Sequence, residues 1–318
     1  MKRKKKYASS HSYAKLALIG MLCCPSPTAI AKTQPWPVTL RSQMVRLNEV
    51  GYRIGLIAAP LCPSTSAGTG LSLDYIEAYD AGDRDAISQL LGITQSPQVA
   101  AVATGSPAST AGVMPGDEII AIDGSPTSKL LFEAKDKTLF ADELEERLAA
   151  APEGSVLMLE LTRKGNPLKV RITPQRICSS RFVIKTGIGF NAFSDGTNVA
   201  MSGKLIEFSR NDDELALIAA HEIGHVINRD GKAGSLGKRR EMEDRADLLG
   251  VRLMKCSGYD PESGVQFWLR RDATDMLRLL RAPTHRSGKA RVALMREEAK
   301  IAACPPTTSF TQGPAPPS

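Results

Sequence analysis

The sequence predicts an α+β protein in which a mostly helical body is interrupted by a β-rich module. Three observations carry this reading. Apolar residues recur at helical spacing over 32–60 and again from Asp212 onward. Between 92 and 175 the pattern changes to short β-type runs separated by turn-forming residues. The chain has 318 residues and is 42% hydrophobic, enough for two modest cores.

The first 31 residues set the charge balance. Lys2 to Lys6 are all basic, Lys15 follows, and an apolar run from Leu16 to Cys24 comes next. Ala29 and Ala31 put small residues at the −3 and −1 positions of a cleavage site after Ala31. This is the layout of a secretory signal peptide over 1–31. Residues 1–31 hold six basic and no acidic side chains, so their removal lowers the formal charge from +7 to +1. The basicity is therefore an export label, and no nucleic-acid partner is expected. Cys23 and Cys24 lack the leucine and small residue that a lipoprotein signal would place before them. No later run reaches the length of about 20 apolar residues that spans a bilayer. The mature chain is expected in the periplasm, without a transmembrane segment. It keeps Cys62, Cys178, Cys256 and Cys304, an even number that suggests two disulfides out of three pairings.

Met44, Val45, Leu47, Val50 and Ile54 predict a helix that ends before Pro60. Residues 63–71 read as a loop, and a second helix is expected from about Asp74 to Leu91. Residues 32–90 are thus assigned to N-terminal helices. Val99–Ala103, Glu118–Ile122, Val156–Thr162 and Leu168–Ile172 read as strands, with a helix at Ala141–Ala150 and a hairpin turn at Arg163–Pro167. Further on, Gly187–Phe193 and Asn198–Ser202 read as strands joined by a turn at 194–197. Asp212 or Asp213 is the expected N-cap of the next helix. The Pro-, Thr- and Ser-rich stretch 305–318 is expected to be disordered.

The run Ser106–Gly124, SPASTAGVMPGDEIIAIDG, resembles the core signature of PDZ domains, which places such a domain at 91–175. The resemblance implies binding of a C-terminal peptide by strand addition, its carboxylate held by backbone N–H groups of a Gly-containing loop. Leu91-Gly92-Ile93 is the candidate loop; a plain helix C-cap at Gly92 is the other reading.

The chemistry centres on His221-Glu222-Ile223-Gly224-His225. A helix turns about 100° per residue, so His221 and His225 project from one face and Glu222 lies beside it. Two imidazoles one turn apart can hold a divalent ion, and the glutamate can reach a water on it. A core helix with two satisfied histidines is the plain alternative. A third donor is available, however, in Glu243, with Asp247 one turn on and small Ala246 and Gly250 beside them. Asp247 is expected to fix a ligand histidine through its other ring nitrogen. Residues 231–240 lack the spacing of a phosphate loop.

His-Glu-Ile-Gly-His followed 18 residues later by Glu-Asp-Arg-Ala-Asp resembles peptidase family M48, the HtpX-like and CAAX-prenyl-protease-like zinc gluzincins. Asn191-Ala192-Phe193 resembles the family's short strand motif, and Asp213-Glu214-Leu215-Ala216 its approach to the motif helix. The resemblance implies a mostly helical zincin core with a small β element over 176–304, into which the PDZ domain is inserted. It implies one Zn²⁺ per chain on His221, His225 and Glu243, with Glu222 as general base. It also implies His285, in Thr284-His285-Arg286, as a catalytic group near the metal, although Arg286 stands where the family often has proline. Asn191, Ala192 and Phe193 would hold an extended protein or peptide substrate. The insertion favours Cys62–Cys178, which flank it, and Cys256–Cys304. The implied activity is endopeptidase hydrolysis of misfolded or specific exported proteins. Its alternative is a PDZ-led peptide-binding or chaperone-like protein with a latent or structural zinc site.

Overall fold

A computed structural model describes residues 34–187, 189–274 and 286–304. The expected leader, the expected tail and His285 lie outside the described residues.

Helix α1 (Trp36–Ala58) has Pro37 in its first turn, where a fixed φ suits the helix and no N–H is missed. It buries Leu47, Val50, Ile54 and Ile57, which recur at three- and four-residue spacing on one face. The chain continues through β1 (Thr65–Gly68), β2 (Leu71–Asp74), a 3-10 turn at Ile76–Ala78 and α2 (Arg84–Leu91). Next come β3 (Gln98–Val102), α3 (Pro107–Thr110), β4 (Glu118–Ile122), β5 (Ser125–Pro126), α4 (Thr127–Glu133) and α5 (Phe140–Ala149). A hairpin of β6 (Leu157–Arg163) and β7 (Asn166–Ile172) follows.

Strands β2, β3, β4, β6 and β7 form an antiparallel sheet in that order, with β5 beside β4. In β6, Leu157, Leu159 and Leu161 are buried while the residues between them are not, the period-two pattern of a half-buried strand. They pack with Ile119, Ile122, Phe140, Leu144 and Leu148 in a core of their own.

Strand β8 (Gln175–Cys178) returns antiparallel to β1, with Thr65 opposite Cys178. A Cys62–Cys178 disulfide closes the same point. The β-rich module therefore leaves and rejoins the body through one stapled ribbon. Beyond it, β9 (Arg181–Ile184), β10 (Ala192–Ser194) and β11 (Asn198–Met201) form a small sheet, β11 in the centre, parallel to β9 and antiparallel to β10. Helices α6 (Gly203–Phe208), α7 (Asp212–Asn228), α8 (Leu236–Cys256), α9 (Pro261–Gly264), α10 (Gln266–Thr274) and α11 (Gly288–Ile301) complete the body. The second core joins α1, β11, α7, α8, α10 and α11. A Cys256–Cys304 disulfide ties the end of α8 to the segment after α11. No described helix is long and apolar enough to cross a membrane.

The structure departs from the sequence expectations in five places. The stretch 63–71 holds β1, whose partner β8 lies more than 100 residues away and leaves no local signal. The expected helix from Asp74 to Leu91 is instead β2, a 3-10 turn and the short α2. Ile76 and Ile87 pack in the β-rich core, so residues 71–90 join that module rather than the helical body. Of the described residues in Gly187–Phe193, Ala192 and Phe193 alone are in a strand. The N-cap of α7 is Asn211, whose side chain accepts from Glu214 N–H; Asp212 pairs with Arg46 and Asp213 accepts from Asp260 N–H.

The Cys62–Cys178 bond spans a sequence separation of 116. Replacing both cysteines with serine is expected to cost about 2–4 kcal/mol, because the unfolded chain regains the freedom of a long open loop. Urea unfolding of the oxidised protein against the double variant checks this.

Candidate metal centre

Helix α7 is buried on almost every side: Leu215, Ala216, Leu217, Ile218, Ala219, Ala220 and Ile223 are all within 2% of full burial. Only a central core helix reads this way. His221 is 4% exposed, so its ring nitrogens must find partners inside the protein. Helix α8 packs against α7 and supplies them.

The three expected metal donors converge. His221 Nε2 and His225 Nε2 are 3.1 Å apart. Glu243 Oε2 lies 3.4 Å from the first and 3.5 Å from the second. A tetrahedral zinc with bonds of 2.0–2.1 Å holds its donors about 3.3 Å apart. The residues therefore fit the ion that the sequence motif implies. Two imidazoles and one carboxylate fill three positions and leave a fourth open, the donor count of a reactive rather than a structural site.

Each histidine is backed by a carboxylate. His221 Nδ1 lies 2.9 Å from Asp247 Oδ1, close but off the alignment of a well-formed hydrogen bond. His225 Nδ1 lies 2.9 Å from Asp230 Oδ2. Both contacts favour the proton on Nδ1 and so turn Nε2 toward the centre. Behind the carboxylates stand arginines. Arg291 donates to both oxygens of Asp247 at 2.7 and 2.6 Å, and Arg245 donates to Asp230 at 2.9 Å. The Arg291 guanidinium in turn sits 3.5 Å from the centre of the Trp268 ring, a cation–π contact that covers its outer face.

These contacts shift the titrations. Burial alone would raise Asp247, but the neighbouring Arg291 outweighs it and brings the carboxyl down to about 2. Burial disfavours the charged form of His221, yet Asp247 and Glu243 overcome it and lift the imidazole to about 9. Burial also opposes the charging of His225, which Glu243 and Asp230 nevertheless raise.

Asp230 and Trp268 were not singled out from sequence. Helix α7 ends at Arg229 in a left-handed conformation, φ 52°, and that turn swings Asp230 back under His225. Nothing in the identity of residue 229 signals it. Arg286 holds both oxygens of Asp244 at 2.8 and 2.8 Å, so this departure from the family pattern binds the residue next to Glu243.

Glu222 is 8% exposed and has no hydrogen-bond or ion-pair partner among the described residues. Asn191 precedes β10 and exchanges hydrogen bonds with Ser202, while Ala192 and Phe193 pair with β11. Strand β10 is an edge of its sheet and packs beside α7. A cavity of about 380 Å³ opens next to His225, between Ser194–Gly196 and Arg229–Asp230. The Leu91-Gly92-Ile93 loop is not at the free edge of the β-rich sheet. Gly92 is the left-handed C-cap of α2 and spends its N–H on Ser88, and Ile93 is buried.

A helix-borne His-Glu-x-x-His with a carboxylate from the following helix is the donor pattern of a zincin-type metal site. Residues 174–236 match the model of peptidase family M48, and residues 98–138 match that of the PDZ domain. The chain is thus similar to peptidase family M48 over the first stretch and to PDZ domains over the second. The M48 match includes His221, Glu222 and His225 and stops short of Glu243, whose place rests on the geometry above. A protein of Agrobacterium fabrum, provisionally named a zinc metalloprotease, is 29% identical over 173 residues, 53% of this chain and 41% of that protein. Another of that provisional name, from Mesorhizobium japonicum, is 27% identical over 185 residues, 54% of this chain and 43% of its own. The chain thus spans less than half the length of these curated relatives. A solved structure of the HtrA-type protease AlgW with a decapeptide covers 35% of this chain and 30% of its own, at 19% identity and a TM-score of 0.27, too slight a likeness to bear on the fold.

Two outcomes follow for the metal centre. Asp247→Asn is expected to weaken zinc binding by about 10–100-fold, because the histidine loses the anion that orients it; competition with a chromophoric chelator measures this. In the metal-free protein the raised His221 stabilises the fold fully below its ordinary value of 6.5 and loses that contribution as pH rises through about 9. The melting temperature of chelator-treated protein should fall across that window. Zinc reverses the trend, since its binding displaces the proton.

Proposed function

We propose that this protein is a zinc-dependent endopeptidase that hydrolyses peptide bonds of exported proteins. The observation that carries the reading is the convergence of His221, His225 and Glu243 within 3.5 Å beside a buried carboxylate, Glu222, that no other described residue engages.

One Zn²⁺ per chain, held by those three residues, would acidify a water molecule and polarise a carbonyl. Glu222 does the proton work. It adjoins His221 on α7, rotated about 100° from the donor face. Its carboxylate takes a proton from the attacking water and returns it to the leaving amine. Asp247 and Asp230 keep the imidazoles oriented through the cycle. The free edge of β10 offers backbone groups for an extended substrate, which favours unfolded segments over folded domains. The cavity beside His225 is placed to take a substrate side chain. Two disulfides and the leader-like residues 1–31 support an exported, periplasmic setting.

Glu222→Gln should retain about one zinc per chain and lower cleavage of unfolded casein by about 10²–10⁴-fold. His221→Ala should lose both metal and cleavage. Metal content and casein proteolysis, measured together with and without a chelator, test the assignment. Proteolysis that survives in the glutamine variant removes Glu222 from the role.

A further inference from the structure

The cavity beside His225 holds one charge that no described residue answers. Ser64, Ser194, Asp195, Arg229 and Asp230 stand around it. Both acids are engaged. Asp195 accepts from the N–H groups of Thr197 and Asn198 at 2.9 and 2.7 Å on one oxygen, and from the Asn198 side chain at 3.3 Å on the other. Asp230 accepts from Arg245 at 2.9 Å on one oxygen and faces His225 Nδ1 at 2.9 Å with the other. The Arg229 guanidinium makes no ion pair or hydrogen bond among the described residues.

Arg229 also stands where the backbone disfavours it. It caps α7 at φ 52°, a left-handed conformation that glycine adopts freely and a residue with a Cβ adopts at a cost. Asp123 and Lys164 share that conformation, but each sits with a following glycine in a two-residue hairpin turn that requires it. Nor is Arg229 isolated. Residues 229–240 hold five cations, Arg229, Lys232, Lys238, Arg239 and Arg240, and one acid, the engaged Asp230. Lys232, Lys238 and Arg239 are exposed, and their side chains have no partner among the described residues. The side of the metal centre bounded by the α7–α8 connection therefore carries a positive field. Ser194, the last residue of β10, is in the cavity wall, so a peptide laid along that strand edge passes over it.

We propose that this cavity selects acidic side chains in the substrate. The Arg229 guanidinium pairs with the substrate carboxylate, and the cations of 232–240 draw acidic segments toward it. The inference rests on the endopeptidase reading and adds the substrate class. Guanidinium and carboxylate meet through two parallel N–H···O bonds, a geometry that a neutral amide does not reproduce. A substrate lysine at the same place would meet Arg229 as a like charge.

The test measures binding apart from cleavage. The full chain carrying Glu222→Gln, with its disulfides intact, is titrated with three pools of fluorescein-labelled decapeptides. The pools are amidated at the C-terminus, share one random background and differ only in carrying glutamate, glutamine or lysine at the two central positions. Anisotropy reports the affinities. An exposed ion pair is worth a factor of up to about 5, so the glutamate pool should bind about 5-fold more tightly than the glutamine pool, and the lysine pool more weakly than either. Arg229→Gly on the same background removes the charge and suits the left-handed turn, so the protein folds and the glutamate advantage disappears. Arg229→Lys keeps the charge and should keep most of the advantage. Raising the salt from about 0.05 to about 0.5 M should shrink it, because exposed charges are screened. The proposal is overturned if the glutamate pool binds no better than the glutamine pool, or if its advantage survives Arg229→Gly. The wild type, given the same pools, reports on the endopeptidase reading. Cleavage of all three pools with equal affinities keeps the endopeptidase and removes the acidic preference. No cleavage, with a glutamate preference that depends on Arg229, removes the endopeptidase and keeps the cavity as an acidic-peptide site.

Discussion

The metal centre depends on how closely α7 and α8 approach. Three small residues permit it. A Cβ added at Gly224 would lie 3.1 Å from the Ala246 Cα and carbonyl oxygen. One added at Gly250 would lie 2.9 Å from the His221 N and 3.0 Å from its Cα. At both positions the obstacle is backbone, which cannot swing aside as a long side chain would. The contact therefore fixes the separation of the two helices at the level of the donors. Two turns of α8 run past the His221–His225 face, which brings Glu243 to the Nε2 side and Asp247 to the Nδ1 side of the same ring. Larger residues at these positions would push α8 outward and leave a pair of histidines without a third donor.

Around that contact, charge alternates outward in two parallel series. One runs from His221 to Asp247 to Arg291, capped by the face of Trp268. The other runs from His225 to Asp230 to Arg245. The first is the more buried: Arg291 is 4% exposed and Asp247 1%. An isolated ion at such depth would cost several kcal/mol, so the series makes sense only as a unit in which each charge has its counter-ion. The same arrangement explains why Asp247 lies low and His221 high in their titrations. The carboxylate is held ionised by the arginine and then stabilises whatever positive charge the imidazole carries, a proton in the empty protein or a share of a metal's charge in the loaded one.

Much of this was legible in the sequence because it follows from helical periodicity. His221, His225, Glu243 and Asp247 are related by steps of four on two helices, and those steps alone put each pair on one face. The strands of the β-rich module were legible where they are long and alternate, as in Leu157, Leu159 and Leu161. The short strands were not. Thr65–Gly68 and Leu71–Asp74 have four residues each, mix polar and apolar positions, and owe their strand character to partners far along the chain. Asp230 was hidden for a different reason, since its role depends on a left-handed turn at an arginine. Asn211, Asp212 and Asp213 are all good N-caps, and only the ion pair between Asp212 and Arg46 shows why the choice falls on Asn211.

The insertion of one module into the other also has a mechanical consequence. Chain departure and return are bound together by β1–β8 pairing and by the Cys62–Cys178 disulfide, so no flexible linker separates the two cores. Ser64 and Ser179 add a hydroxyl contact of 2.5 Å at the same junction. A module attached at one stapled point can rock only about that point. Its position is then set by whatever side chains bridge the rest of the boundary: Arg41 to Asp74, Asn48 to the Gly70 carbonyl, Glu49 to the Thr104 N–H, and Arg181 to the acidic face of α5. Three of these four come from α1, which also packs against α7. The fourth comes from β9, in the sheet that ends at β10. Among the described residues, the routes from the β-rich module to the metal centre are thus the helix behind the histidines and the strand beside them, each held by at least one ion pair or hydrogen bond.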